Sequence, residues 1–197
     1  MSELITKDMQ NHLKYRTGYH LWCVRKWSDR INALNDPRID RVLLDKERDV
    51  HDEMKWIEPE YTPYVLISWQ YKCRREGIEF NPGENIKQLM HEATFHHIKN
   101  HRHHPEYWSD DVTLAGLNKD NRDLPSAGEI VDGTGMPLTY VAAMVADWCA
   151  MSEELGGHPK EWAENNVNVR WRFNKMQSDL IYELIKRVWI NDRELQG

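Results

Sequence analysis

The chain has 197 residues, with hydrophobic residues at 40%, charged residues at 29% and a formal charge of −6. This balance fits a folded domain rather than a disordered chain, and a pI of 5.9 with a mean hydropathy of −0.78 argues against a duplex-DNA binder held by phosphate contacts. No apolar run approaches the roughly 18 residues of a membrane span, and the polar N-terminus Met1–Asp8 has no signal-peptide pattern, so a cytoplasmic protein without membrane contact is expected.

The first predicted helix runs from near Thr6 to near Leu34. Asn35-Asp36-Pro37 ends it, with Asp36 as N-cap of the next helix and Pro37 in its first turn. That second helix carries Ile39, Val42, Leu43 and Val50 and leads into His51-Asp52. A third runs from Glu58-Pro59 to Gly77, and a fourth from after Asn81-Pro82 to about Asn100. The polar stretch 102–135 reads as a long loop insertion. Met136-Pro137 opens a fifth helix that Gly156-Gly157 closes after Leu155. The tail, 160–192, reads as helical, with Val169, Phe173, Met176, Leu180, Leu184 and Val188 as its apolar stripe. Strand signals are scarce, so the expected fold is an all-α, single-domain helical bundle, with a core over 8–155 and C-terminal helices over 160–192.

Cys23, Cys73 and Cys149 are odd in number and far apart, which predicts reduced, buried thiols. The ten histidines are more informative, because seven of them lie between His51 and His104. In the fourth helix His97 continues the apolar face of Ile86, Met90 and Ala93, and His101 follows one turn later. An i, i+4 pair of imidazoles can hold one metal ion; a buried His bonded to a carbonyl, or a solvated His-rich surface that includes His96, His103 and His104, is the plainer alternative. Asp147 poses the same question on the fifth helix, at the edge of a stripe of Met144, Trp148 and Met151. A buried carboxylate needs a metal, a helix N-terminus or a cation such as Arg25 or Arg48. His20 lies on the first helix beside Cys23, Val24 and Trp27. The chain order is thus His20, His51-Asp52, the His cluster and Asp147, all on different predicted elements.

This order resembles the HD superfamily of metal-dependent phosphohydrolases. His51-Asp52-Glu53-Met54-Lys55 with Glu60 and Pro63-Tyr64, then His96-His97, Asn100 and His103-His104-Pro105-Glu106-Tyr107-Trp108, then Met144-Val145-Ala146-Asp147-Trp148, is similar to the three signatures of a small HD-like family of unknown function from phages and bacteria. The resemblance implies an HD-type bundle, with the 102–135 stretch as an insertion. It implies a first metal site of His20, His51, Asp52 and Asp147, with Asp52 bridging to a second ion on His97 and His103 or His104. One or two divalent ions are implied, with Mn, Fe, Co, Ni, Zn and Mg all compatible. The expected activity is hydrolysis of a small phosphorylated substrate, by analogy a nucleotide or deoxynucleotide. Asp52, Lys55 and Glu60 are the expected catalytic residues: Lys55 to hold a phosphate unless it is an ordinary surface lysine, and Glu60 to move a proton. Two rival expectations share the site: a di-iron oxygenase of HD type, and a non-catalytic, metal-stabilised binding module.

Overall fold

The computed structural model describes residues 4–111 and 130–189. Among these the fold is all-α. The helices are α1 (Lys7–Ala33), α2 (Arg41–Asp49), α3 (Tyr61–Glu76), α4 (Glu84–Asn100), α5 (Leu138–Leu155), α6 (Pro159–Asn166) and α7 (Lys175–Val188). Two 3₁₀ turns, Glu53–Trp56 and Pro105–Trp108, and a parallel pair of two-residue strands, β1 (Val131–Asp132) and β2 (Trp171–Arg172), complete it. No helix among the described residues is long and apolar enough to cross a membrane.

The bundle is built around α1 and α5. Thr6 caps α1 by accepting from the Met9 amide, and its buried stripe, Met9, Leu13, Thr17, His20, Val24, Trp27 and Ile31, recurs every three to four residues. Helix α5 is buried on nearly every side, because Ala142, Ala143, Ala146 and Ala150 let its neighbours approach closely. Two apolar clusters result. The larger gathers α1 from Cys23 onward with α5 and α7; the smaller joins Met9 and Leu13 to Tyr64, Val65 and Leu66 of α3 and to Met90 and Ala93 of α4. Along α1, His20 falls in the interval between them, so a polar cluster occupies the seam of two dry cores.

Several boundaries differ from the sequence reading. Asp36 is not the N-cap of α2. That role belongs to Asp40, which accepts from the Leu43 amide, while Asp36 accepts from the Arg38 amide and side chain. The tail is not one helix: it breaks after Asn166, carries β2, and restarts at the Asn174 cap of α7. Val169 and Met176, expected in the apolar stripe, are exposed. The expected 102–135 loop is partly structured. Its first part forms the turn Pro105–Trp108 and its last part forms β1, while 112–129 lie outside the described residues. Gly133 is needed beside β1: a Cβ there would come within 3.1–3.2 Å of Phe173, the Arg172 carbonyl and Pro105. The three cysteines are free and buried, as expected.

Candidate metal centre

Eight buried or half-buried side chains from five segments meet in the seam. α1 supplies His20 and α5 supplies Asp147. His51 and Asp52 form the tight turn after α2, where Asp52 takes a left-handed backbone (φ 58°) that an acidic side chain tolerates. His97 comes from the last turn of α4, with His101 at its C-cap. His103 and His104 follow, and the turn behind them is pinned. Lys99 Nζ donates to the carbonyls of Glu106 and Ser109 at 2.7 and 2.9 Å, and Trp171 Nε1 donates to Glu106 Oε1 at 2.8 Å. The stretch that reads as polar and loop-like in sequence is therefore the strap that turns His103 and His104 inward.

The ligand atoms form four overlapping triads: His20/His51/Asp147, His51/Asp52/His103, Asp52/His97/His101 and His97/His103/His104, each with its atoms within 4.8 Å of one another. Asp147 Oδ1 lies 3.1 Å from His20 Nε2 and 3.5 Å from His51 Nε2. Asp52 sits centrally, with Oδ1 3.2 Å from His97 Nε2 and Oδ2 3.7 Å from His20 Nε2. The cation expected as the plainer partner of Asp147 is elsewhere: Arg25 pairs with Asp49, and Arg48 with Asp29, Asp45 and Asp49. All seven predicted ligands, His20, His51, Asp52, His97, His103, His104 and Asp147, are brought together.

Outer carboxylates orient the rings. Glu60, fully buried, accepts from His96 Nδ1 at 2.8 Å and His97 Nδ1 at 2.9 Å, which leaves His97 Nε2 facing Asp52. Glu154 Oε2 is 3.4 Å from His20 Nδ1, and Arg16 Nε holds its other oxygen at 2.8 Å. This carboxylate–imidazole arrangement is the usual support of metal-binding histidines. Lys55 Nζ lies 2.5 Å from Asp52 Oδ2 and 4.9 Å from the Tyr64 ring centre; its side chain is only 13% exposed, so it is not an ordinary surface lysine.

The electrostatics suit ligation. Burial, aided by neighbouring histidines, pushes His101 down to about 3 and His103 and His104 well below the ordinary imidazole range, so all three are neutral at pH 7. Burial works against the charge on Asp52, but Lys55, His51 and His97 outweigh it and hold the carboxyl well below its ordinary value. Asp147 is likewise held low, against burial, by His20 and His51. Burial pulls His20 down, yet Asp147 and Glu154 raise it to about 9, so without metal its imidazolium supplies the positive charge between them. The Nε2 atoms of His101 and His104 are buried with no hydrogen-bond partner. An unmet buried ring nitrogen costs about 1–3 kcal/mol, a cost that ligation removes. The donor set therefore fits a divalent ion.

The helical spacing offers His101 as a partner of His97, but the ligand set that the resemblance implies omits it, and Glu154 is in neither. The signal for His101 was its i, i+4 relation to His97. For Glu154 it was the i, i+7 relation to Asp147 along one face of α5.

An all-α protein with a buried histidine–carboxylate centre able to hold metal is the class these observations define. The chain belongs to a family of unknown function (DUF5662), whose profile matches residues 9–188. No curated protein and no solved structure matches the chain at a significant level.

Proposed function

We propose that this protein is a divalent-metal-dependent phosphohydrolase of the HD type, acting on a phosphate ester, with a nucleotide or deoxynucleotide as the favoured substrate. The observation that carries the reading is the run of four overlapping triads, the middle two sharing Asp52, with ligands in the chain order His20, His51-Asp52, Asp147. His20, His51, Asp52 and Asp147 would hold one ion, and Asp52, His97, His101, His103 and His104 supply donors for a second. A divalent cation there supplies Lewis acidity, acidifying water and neutralising phosphoryl charge.

The chain's own groups do the rest. Glu60 fixes the tautomer of His97 and, with the half-buried His96, forms a pair able to pass a proton toward solvent. Lys55, beside Asp52, offers a phosphate oxygen a point-charge contact. Asp147, the most accessible member of the first triad at 16% side-chain exposure, marks the side from which an ester reaches the centre.

The test is metal analysis of the purified protein, followed by phosphate release from a nucleotide and deoxynucleotide panel with Mn, Fe, Co, Ni, Zn or Mg. Metal-dependent release, lost in Asp52→Asn, is expected; a fully loaded protein that releases phosphate from no ester overturns the reading. The imidazole surplus at His101 and His104 favours a second reading, a di-iron oxygenase, which predicts a visible absorption band and oxygen uptake once iron is bound. Metal-loaded protein with neither activity would be a metal-stabilised binding module.

A further inference from the structure

Helix α5 is buried from Thr139 onward except at Asp147, Met151, Glu153, Glu154 and Leu155. Asp147, Met151, Glu154 and Leu155 have the i, i+4, i+7, i+8 spacing of one helical face. The only accessible track along α5 among the described residues therefore starts at the metal centre and runs toward its C-terminus. It ends at a cavity of about 330 Å³ lined by His12, Tyr15, Arg16, Tyr19, Arg75, Glu154 and Leu155. Arg16 and Glu154 form one wall and connect it to the centre, because Glu154 also faces His20 Nδ1.

The lining sorts the chemistry of an occupant. Tyr15 is 76% exposed, Tyr19 39% and Leu155 57%, a large apolar area to leave in water. Arg75 is exposed and has no ion pair among the described residues, so its guanidinium donors are open to a ligand acceptor. Glu154 puts a carboxylate on the wall and Arg16 neutralises it, which leaves Arg75 as the one uncompensated charge of the lining. The two tyrosine rings and Leu155 suit a planar group with acceptor atoms on its edge, and the phosphate of such a substrate then lies at the Asp147 end, beside the centre. Leu155 lies eight positions after Asp147, about 12 Å along the axis at 1.5 Å per residue, the span of a nucleoside bearing a single phosphate.

We propose that this cavity binds the nucleoside end of a nucleoside monophosphate, its base resting on Tyr15, Tyr19 and Leu155 with Arg75 donating to the base edge, while the phosphate reaches the centre along the α5 track. The proposal rests on the phosphohydrolase reading for the direction of the substrate, not for the pocket itself.

The test uses nucleosides, which carry no scissile phosphate, so binding is read apart from turnover. Adenosine, guanosine, cytidine and thymidine are titrated into the metal-loaded protein and followed by saturation-transfer NMR. Tyr15 and Tyr19 are exposed, so their alanine variants leave the cores intact. At least one nucleoside is expected to bind, with Tyr19→Ala weakening it about ten-fold or more, in line with loss of a stacking platform, and Arg75→Gln weakening it less. Metal per chain should be unchanged in both. Absence of binding by all four nucleosides, or equal binding by wild type, Tyr15→Ala, Tyr19→Ala and Arg75→Gln, overturns the proposal. Phosphate release from glycerol phosphate without nucleoside binding removes the pocket and keeps the hydrolase. Tyr19-dependent nucleoside binding without phosphate release from any ester keeps the pocket and removes the hydrolase.

Discussion

Asp52 belongs to two of the four triads and also takes a left-handed backbone conformation. The two roles separate by choice of substitution. Asn accepts that backbone, so Asp52→Asn removes only the carboxylate charge, whereas Ala adds about 1 kcal/mol of backbone strain. Elemental analysis of Asp52→Asn should show most of the bound metal lost; wild-type stoichiometry would remove Asp52 from the site. His97 and His96 share Glu60, but only His97 is buried and faces Asp52. His97→Ala is expected to lower metal content several-fold and His96→Ala to leave it near wild type; equal losses would count against the geometry. Lys55→Ala should keep metal per chain while raising KM for the phosphate ester about ten-fold, since one charge-assisted contact is worth roughly 1.5 kcal/mol. An unchanged KM would leave Lys55 as a counter-charge to Asp52 alone. His20, His97 and Asp147 were legible in sequence because polar side chains stood at positions the helical period reserves for apolar ones. Glu154 was not, since it follows Glu153 near a helix end and reads there as a solvated acid.

Helix existence was legible from periodicity and Pro/Gly punctuation, but two junctions were decided by side-chain bonds that periodicity does not encode. The tail kept its apolar spacing through Val169 and Phe173, yet Asn168 takes φ 57° and Asn174 caps α7, so the chain turns between them. After α1, Pro37 suggested an immediate restart. Instead Asp36 ties the junction to α7: its buried carboxylate binds Arg38 Nη2 at 2.7 Å and lies 3.6 Å from Arg187, while Arg38 also pairs with Glu183. Arg38 lowers the Asp36 carboxyl to about 2 despite the opposing effect of burial. A depressed folded-state value gives stability that is present above pH 3.8 and lost as pH falls toward 2. With a discount for the one-third exposure of Arg38, Asp36→Asn should cost about 1–2 kcal/mol at pH 7 and almost nothing at pH 2. Denaturant melts at the two pH values check this, and a cost that is the same at both would mean hydrogen bonding, not charge, holds the junction.

At the scale of the whole molecule, the centre fills a polar seam that would otherwise separate two apolar clusters, so bound metal should act on global stability. Free ion at a hundred times Kd stabilises the native state by about 2.7 kcal/mol, or about 5–10 °C in Tm for a chain of this size. Chelation followed by a thermal melt should show that drop, and re-addition of metal should reverse it; an indifferent Tm would mean that the seam is stable without the ion. The overall class and the polar positions that build the centre could be read from the chain, because a helical period interrupted by His and Asp is visible in one dimension; the division into two apolar clusters could not. The strap that turns His103 and His104 inward could not, since it depends on Trp171 and Lys99 reaching Glu106 from remote positions. The spread of the donors has a consequence during synthesis. As the chain leaves the ribosome from its N-terminus, the imidazoles from His20 to His104 emerge before the carboxylate of Asp147. A nascent chain short of α5 can offer only the histidine-rich half of the centre. The donor set able to hold an ion is therefore complete only once α5 docks against α1, and a chain arrested earlier offers a different and smaller set.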